Sequence, residues 1–385
     1  MSTKTASEHE AGNHEAALKG LYDDVYKAHM FPFWATTTKV DHDEVRQLMN
    51  SAKAVPFVWS YAEVIRPLLQ RSAELVSMAD SERRSLILVN PGLAPRRASV
   101  TTMYTAYRLN DPQEVMPPHR HSPNAIRFGL TGAQNFTGVE GEDIVFGPGD
   151  MVLTPHDTWH NHGNKGDEPA INLSVLDLPL VETLNAVYFE HDYKEEADGK
   201  LAKRMEQTAR FGADYSKLIY GRGGLKPHFV PHDRGTGAAS PMYVYRWAPM
   251  REFLDENADA DGDPYDGLKI EYIDPTNGGP VFQTMTFFAQ LLRPGERTLP
   301  LKQTANQLVA PFEGPPGYSM IDGERHDWAQ FDTVAVPGGS WVEHVNGTDQ
   351  PIILFVASDE PTLRKVGLYK RWGRDESGDV VKLFP

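Results

Sequence analysis

Hydrophobic and polar positions change their period more than once along this chain. Between Glu15 and His29 the apolar residues Leu18, Leu21, Tyr22, Val25 and Tyr26 recur three and four apart, the spacing of one helical face. Residues 1–14 ahead of them read as a flexible polar tail. A second helix is expected from Ser60, which makes a capping box with Glu63, with Pro67 kinking or ending its first turns. From about Met103 the texture becomes short apolar runs broken by Gly, Pro, Asn and Asp. Val139–Gly141, Gly147–Asp150 and Asn161–Asn164 are turn signals at the spacing of an antiparallel barrel or sandwich. Residues 194–211 return to helix-compatible sequence, Gly221–Ser240 reads as linker, and β texture resumes at Pro241. The expected chain is all-β dominated. It has a tail and helical prefix over 1–100, a first barrel over 101–190, a helix and linker over 191–240, and a second barrel with a C-terminal extension over 241–385.

An internal repeat supports the pairing of two barrels. Sliding the sequence by 182 aligns 112–179 with 294–361 without a gap. Turn formers dominate the matches, among them Pro112/Pro294, Gly132/Gly314, Gly141/Gly323, Asp150/Asp332, Pro155/Pro337, Asn164/Asn346 and Pro179/Pro361. Three histidines are lost together in the second copy: His119 faces Leu301, His121 faces Gln303 and His160 faces Val342. Arg127 likewise becomes Val309, whereas His162 and Asp177 recur as His344 and Asp359. A scaffold duplicate would keep scaffold histidines, so their joint loss points to chemistry confined to the first copy.

Composition narrows that chemistry. With 385 residues the chain is long enough for two domains. Its net charge of −15, with no long basic run, argues against a nucleic-acid partner. Cys is 0, which excludes disulfides, thiolate metal sites, iron–sulfur clusters and a thiol nucleophile. The polar first residues lack a signal-peptide core, and no apolar run reaches the ~18 residues of a membrane span, so a cytoplasmic protein is expected. The acidic stretch Asp255–Asp266 has Ala260 and Asp266 where a calcium loop needs Gly and Glu, and is read as a solvated loop.

His119 and His121 stand two apart, so on a strand both imidazoles point to one face and can reach one ion. His160 follows on a later strand. Three neutral ligands leave a divalent ion its full charge and open positions, which suits an anionic chelate together with a small gas molecule. Arg127, six residues beyond His121, keeps the same strand face and is placed to meet a carboxylate or developing negative charge. The spacing H-x-H, then G-D-x4-P-x4-H-x3-N ending at Asn164, is the two-part cupin signature. The Glu commonly found shortly after the second His is absent, with Ala125 and Ile126 there instead.

HRHSPNAIRF at 119–128, GDMVLTP at 149–155 and WHNHGN at 159–164 resemble the gentisate 1,2-dioxygenase family and its salicylate and 1-hydroxy-2-naphthoate relatives. The likeness extends to VPFVW at 55–59, ERR at 82–84, NPGL at 90–93, YRW at 245–247 and IDPTNGG at 273–279. It implies a bicupin of two jelly-roll barrels, with one Fe(II) per chain on His119, His121 and His160. It implies an extradiol-type dioxygenase that opens the ring between the carboxyl-bearing and hydroxyl-bearing carbons, with both oxygen atoms incorporated. Pocket positions carried over are Arg83, Tyr104, Ala106, Arg108, Arg127 and His162, the last two as catalytic groups. Where the family has Trp-x-Asp-Gly-Leu-Asp, this chain has Asn172 to Asp177, with Ser174 replacing the first acid and Asp177 keeping the second. Gentisate and 1-hydroxy-2-naphthoate are the two expected substrates, and a homotetramer or larger assembly is implied. A non-oxidative metal cupin (isomerase or decarboxylase) or a non-catalytic binding bicupin would be the alternatives.

Overall fold

Turn residues set where the strands of this chain end. Gly132 and Gly314 take φ of 77° and 105°, and a Cβ on either would press on the start of the strand paired alongside, at Ala170 and at the Pro351 carbonyl. The computed structural model describes residues 4–30, 53–76, 84–191, 193–195, 201–203, 211–230 and 238–384.

Met1–Lys53 and Ala54–Pro385 are separate units. In the first, a helix spans Lys4–Lys27, beginning well ahead of Glu15. The stretch expected as a tail holds Ala6, Glu8, Glu10 and Ala11 and contains no Pro, so nothing in it stops the helix from running back through it. In the second, Ser60 caps as expected, its hydroxyl accepting from the Glu63 N–H. The turn that Ser60 caps is π-helical and ends at Ile65, and Pro67 sits in the first turn of the α-helix Arg66–Leu75 that takes over, where a missing N–H is harmless.

Two double-sheet barrels follow the same plan. In the first, Met151–Thr154, Ala125–Thr131, Ala170–Leu176, Tyr104–Asn110 and Ser85–Ile87 form one sheet in that order. Phe189–His191, His119–His121, His160–Asn164, Asn135–Val139 and Glu142–Phe146 form the facing one. The second barrel repeats both orders with Thr333–Val336, Gln307–Glu313, Ile352–Ser358, Thr286–Leu292 and Leu268–Tyr272. Its facing sheet runs through Glu324–Trp328, Gly317–Ile321, Trp341–Val345, Leu301–Gln303, Arg371–Arg374 and Val380–Phe384.

Each barrel borrows its outermost strand from the segment that precedes the other. Phe57–Trp59 pairs with Thr333–Val336 of the second barrel, and Val244–Tyr245 pairs with Met151–Thr154 of the first. Matched aspartates anchor the exchange: Asp332 accepts from the Tyr61 N–H at 2.6 Å and Asp150 from the Trp247 N–H at 2.9 Å. Sequence boundaries near 100 and 240 therefore cut through sheets. The two broad sheets share one core, in which Phe128 stacks on Phe355 at 4.0 Å and Tyr107 donates to the Phe331 carbonyl.

Two local expectations fail. Tyr193–Glu195 and Leu201–Lys203 are antiparallel strands rather than helix. The Asp198-Gly199 pair between them in the sequence is a hairpin signal that outweighs the helix formers around it. The acidic stretch is not wholly solvated either: Asp266 turns inward to pair with Lys269 at 3.0 Å and with Arg371.

Candidate active site

His119 and His121 share one face of a three-residue strand, and His119 pairs directly across to His160. The three imidazoles are buried, their candidate ligand atoms all lie within 4.8 Å of one another, and among the described residues they form the one such group. Each ring is aimed by a carbonyl. Nδ1 of His119 donates to Pro117 O at 3.2 Å, that of His121 to Pro123 O at 2.8 Å and that of His160 to Thr158 O at 2.8 Å. A carbonyl can only accept, so the proton stands on Nδ1 and Nε2 carries the lone pair in all three. Three neutral imidazoles with fixed tautomers and second-sphere carbonyls are a donor set that fits one divalent ion. Phe189, delivered by a strand paired with His119–His121, stacks on the His119 ring at 5.4 Å.

Beside His121 lies a cavity of about 350 Å³, lined among others by Tyr104, Ala106, Arg108, Arg127 and Ser174. Sheet register explains the grouping. Ser174 pairs with Ala106 on one side and Arg127 on the other, so the three stand in a row across the inner face. Asn172 pairs with Arg108 one step along, and Leu176 with Tyr104. Arg108 Nε donates to Asn110 Oδ1 at 2.6 Å. Arg127 donates to the Ile126 carbonyl at 3.0 Å and to His162 Nε2 at 3.1 Å. A guanidinium cannot accept, so His162 Nε2 accepts and its Nδ1–H donates to Thr137 Oγ1 at 2.9 Å. Burial holds the His162 pKa well below the usual histidine value, and the Arg127 charge pushes it the same way.

Among the other residues expected at the site, Asp177 does not line the cavity. It accepts from the Asn124 N–H at 2.8 Å, from Asn124 Nδ2 at 3.0 Å and from Thr284 Oγ1 of the other half at 2.5 Å. Burial raises its pKa against those bonds. Asp359 repeats the arrangement with Asn306 and Thr102, so both aspartates are struts between halves. Arg83 lies outside the described residues. Its neighbour Arg84 is buried in ion pairs with Asp111 and Glu114, away from the cavity. Residues missed from sequence include Arg97, Glu182, Val187, Tyr188 and Phe189, all at the cavity. The one signal was the apolar-aromatic run Val187-Tyr188-Phe189 just before an expected domain end.

No described helix is long and apolar enough to cross a membrane. The cupin domain family matches residues 109–176. A 5-aminosalicylate 1,2-dioxygenase of Comamonas sp is 32% identical over 361 residues, covering 92% of this chain and 89% of that protein. A gentisate 1,2-dioxygenase of Aquipseudomonas alcaligenes is 32% identical over 353 residues, covering 91% and 95%. The crystal structure of a salicylate 1,2-dioxygenase from Pseudaminobacter salicylatoxidans matches with a TM-score of 0.76 at 27% identity, over 92% of this chain and 97% of that one. Likeness of that extent, over both barrels and not the metal motif alone, decides the fold as a bicupin. The chain belongs to the family of ring-cleaving cupin dioxygenases that includes the gentisate, salicylate and 1-hydroxy-2-naphthoate 1,2-dioxygenases.

Proposed function

We propose that this chain is an Fe(II)-dependent dioxygenase that opens the ring of an ortho-hydroxy aromatic carboxylate between the carboxyl-bearing and hydroxyl-bearing carbons. One ion per chain would be held by His119, His121 and His160. The observation that carries this reading is the adjacency of three buried, tautomer-fixed imidazoles to a cavity whose inner wall presents Arg108 and Arg127. Fe(II) bound there would supply Lewis-acid binding of the substrate's oxygens and the redox capacity to couple it to O2. Arg108 and Arg127 bind and orient the carboxylate. Arg127, braced on the Ile126 carbonyl and on His162, keeps a positive charge where negative charge develops on oxygen. His162 holds that charge in place, its Nε2 accepting from Arg127 and its Nδ1–H donating to Thr137. Buried walls from Tyr104, Ala106 and Leu176 exclude water. The product is an oxo-diacid holding both atoms of O2; the broken bond lies beside a hydroxyl, and only in that sense is the cleavage extradiol-type.

Two substrates fit, for different reasons. 1-Hydroxy-2-naphthoate is favoured by Ser174, which leaves the row Ala106–Ser174–Arg127 without an acid for a second ring hydroxyl. Gentisate is favoured by the named activity of the Aquipseudomonas relative. Oxygen uptake by anaerobically Fe(II)-loaded protein, with each acid offered separately, decides. Uptake with the naphthoate alone supports the Ser174 argument, uptake with gentisate overturns it, and none with either moves the reaction outside this substrate pair. A cytoplasmic homotetramer or larger assembly completes the proposal, its size to be read by light scattering on the eluting protein.

A further inference from the structure

The first barrel's cavity has a buried end and an open end. Arg108, Arg127 and Ser174 are buried, whereas Arg97 and Glu182 sit where the lining reaches solvent, with 64% and 29% of their side chains exposed. Arg97 Nη2 meets Glu182 Oε1 at 3.3 Å across the opening. Three arginines thus run from the mouth inward, on a chain whose net charge of −15 repels small anions over most of its surface.

The pair at the mouth is not needed to tie its two segments together. Neighbouring Arg96 already does so, donating to Thr183 Oγ1 at 2.8 Å and to the Pro179 carbonyl of the same short helix, Leu178–Thr183. Nor does the pair belong to the repeated scaffold. In the second barrel Arg364 stands where Glu182 does, bonds Glu360 of its own helix at 2.5 Å, and lies over the rings of Tyr369 and Phe384. An exposed Arg–Glu pair is weak and exchanges its partners readily.

We infer that Arg97 and Glu182 form an electrostatic gate: Arg97 draws the aromatic carboxylate to the mouth by exchanging Glu182 for it, and hands it on to Arg108 and Arg127. This rests on the proposed reading that the substrate is an aromatic carboxylate. The gate acts on capture and not on ring opening, so it appears in kcat/KM, and salt screens it.

The test compares wild type with Arg97→Ala, Arg97→Lys and Glu182→Gln. Conditions are about 0.01 M and about 1 M ionic strength, where the screening length falls from about 30 to about 3 Å. At low salt Arg97→Ala should lower kcat/KM about three- to tenfold with kcat unchanged, Arg97→Lys should restore most of it, and Glu182→Gln should raise it about twofold. These differences should vanish at high salt. A loss that persists at high salt, or that falls on kcat, overturns the gate. Calorimetric titration with 1-hydroxy-2-naphthoate without oxygen gives a readout independent of turnover. If wild type turns over neither acid, the choice of this substrate pair fails by itself, and equal affinities of wild type and Arg97→Ala at low salt then sink the gate as well.

Discussion

The two barrels carry the same strands, turns and struts, and differ in what their matched positions can hold. Leu301 pairs with Val342 in the register that joins His119 to His160, and both enter a buried apolar cluster with Ile321. Gln303, opposite His121 in the repeat, accepts from the Tyr369 hydroxyl at 3.0 Å. The strand that brings Phe189 to the first site brings Arg371 to the second, where it and Lys269 close on Asp266. What stays the same is equally informative. His162 bonds Thr137 at 2.9 Å, and His344 bonds Ser319 at 2.8 Å in the matching place. Duplication thus preserved a framework, in which Asp177, Asp359, His162 and His344 are shared parts. The metal set, the arginine row and the mouth are particular to one copy. A residue present in both barrels is read first as scaffold, and one present in the first alone as chemistry.

The largest effect should come from breaking the set found in one barrel only. His160→Ala should lose bound metal and turnover together, by well over the about 10–100-fold that second-sphere partners are worth. Metal analysis beside oxygen uptake checks it, and metal-loaded, active His160→Ala protein would refute the assignment. Next is the acid response of the shared framework. Burial, aided by Lys269, pushes His344 down to about 4 from 6.5. The unfolded chain takes up a proton near pH 6.5 that the folded chain refuses until about 4. This contribution is therefore complete above about 6.5 and is lost as pH falls toward 4, worth about 3 kcal/mol in all. Denaturant titrations of wild type and His344→Gln across that window should show a steeper acid decline in wild type. Smaller again are the struts: Asp177→Asn and Asp359→Asn should each cost about 1–3 kcal/mol by melting. The Asp177 variant should keep a near-native KM, because its carboxylate faces Asn124 and Thr284 and not the cavity.

The repeat and the metal histidines were legible because they are written in local spacing: turn residues 182 apart, and a strand period that puts His119 and His121 on one face. What escaped depends on partners far away in the chain. Val244–Tyr245 is too short to show any period, and its place in the first barrel comes from backbone pairing with Met151 and Val152. Asp177 shares a family segment with Ser174 and recurs in the second copy as Asp359, so its motif alone leaves a substrate role and a structural one both open. Its role is fixed by Thr284, 107 residues on, which the sequence alone does not bring to it. Phe189 fell at an expected boundary because its strand completes a sheet whose other members come before it.

The smallest effect expected is also the one that bears most directly on substrate. Ser174 lies between Ala106 and Arg127 on the inner face, so Ser174→Asp restores an acid to a row that has none. A site built to hydrogen-bond a hydroxyl gains on substrates that carry it and loses on those that do not, because the unmatched buried acceptor is left unsatisfied. Arg127 beside the new carboxylate limits the penalty of burying it, at the expense of some attraction for the substrate carboxylate. Both acids suffer that second loss alike, so it cancels in their ratio. The ratio of kcat/KM for gentisate over 1-hydroxy-2-naphthoate should therefore rise about tenfold, about 1.4 kcal/mol of discrimination, while absolute rates fall for both. An unchanged ratio would mean that the second hydroxyl never meets this row, and that the wall formed by Tyr188 and Phe189 sets the choice of ring instead.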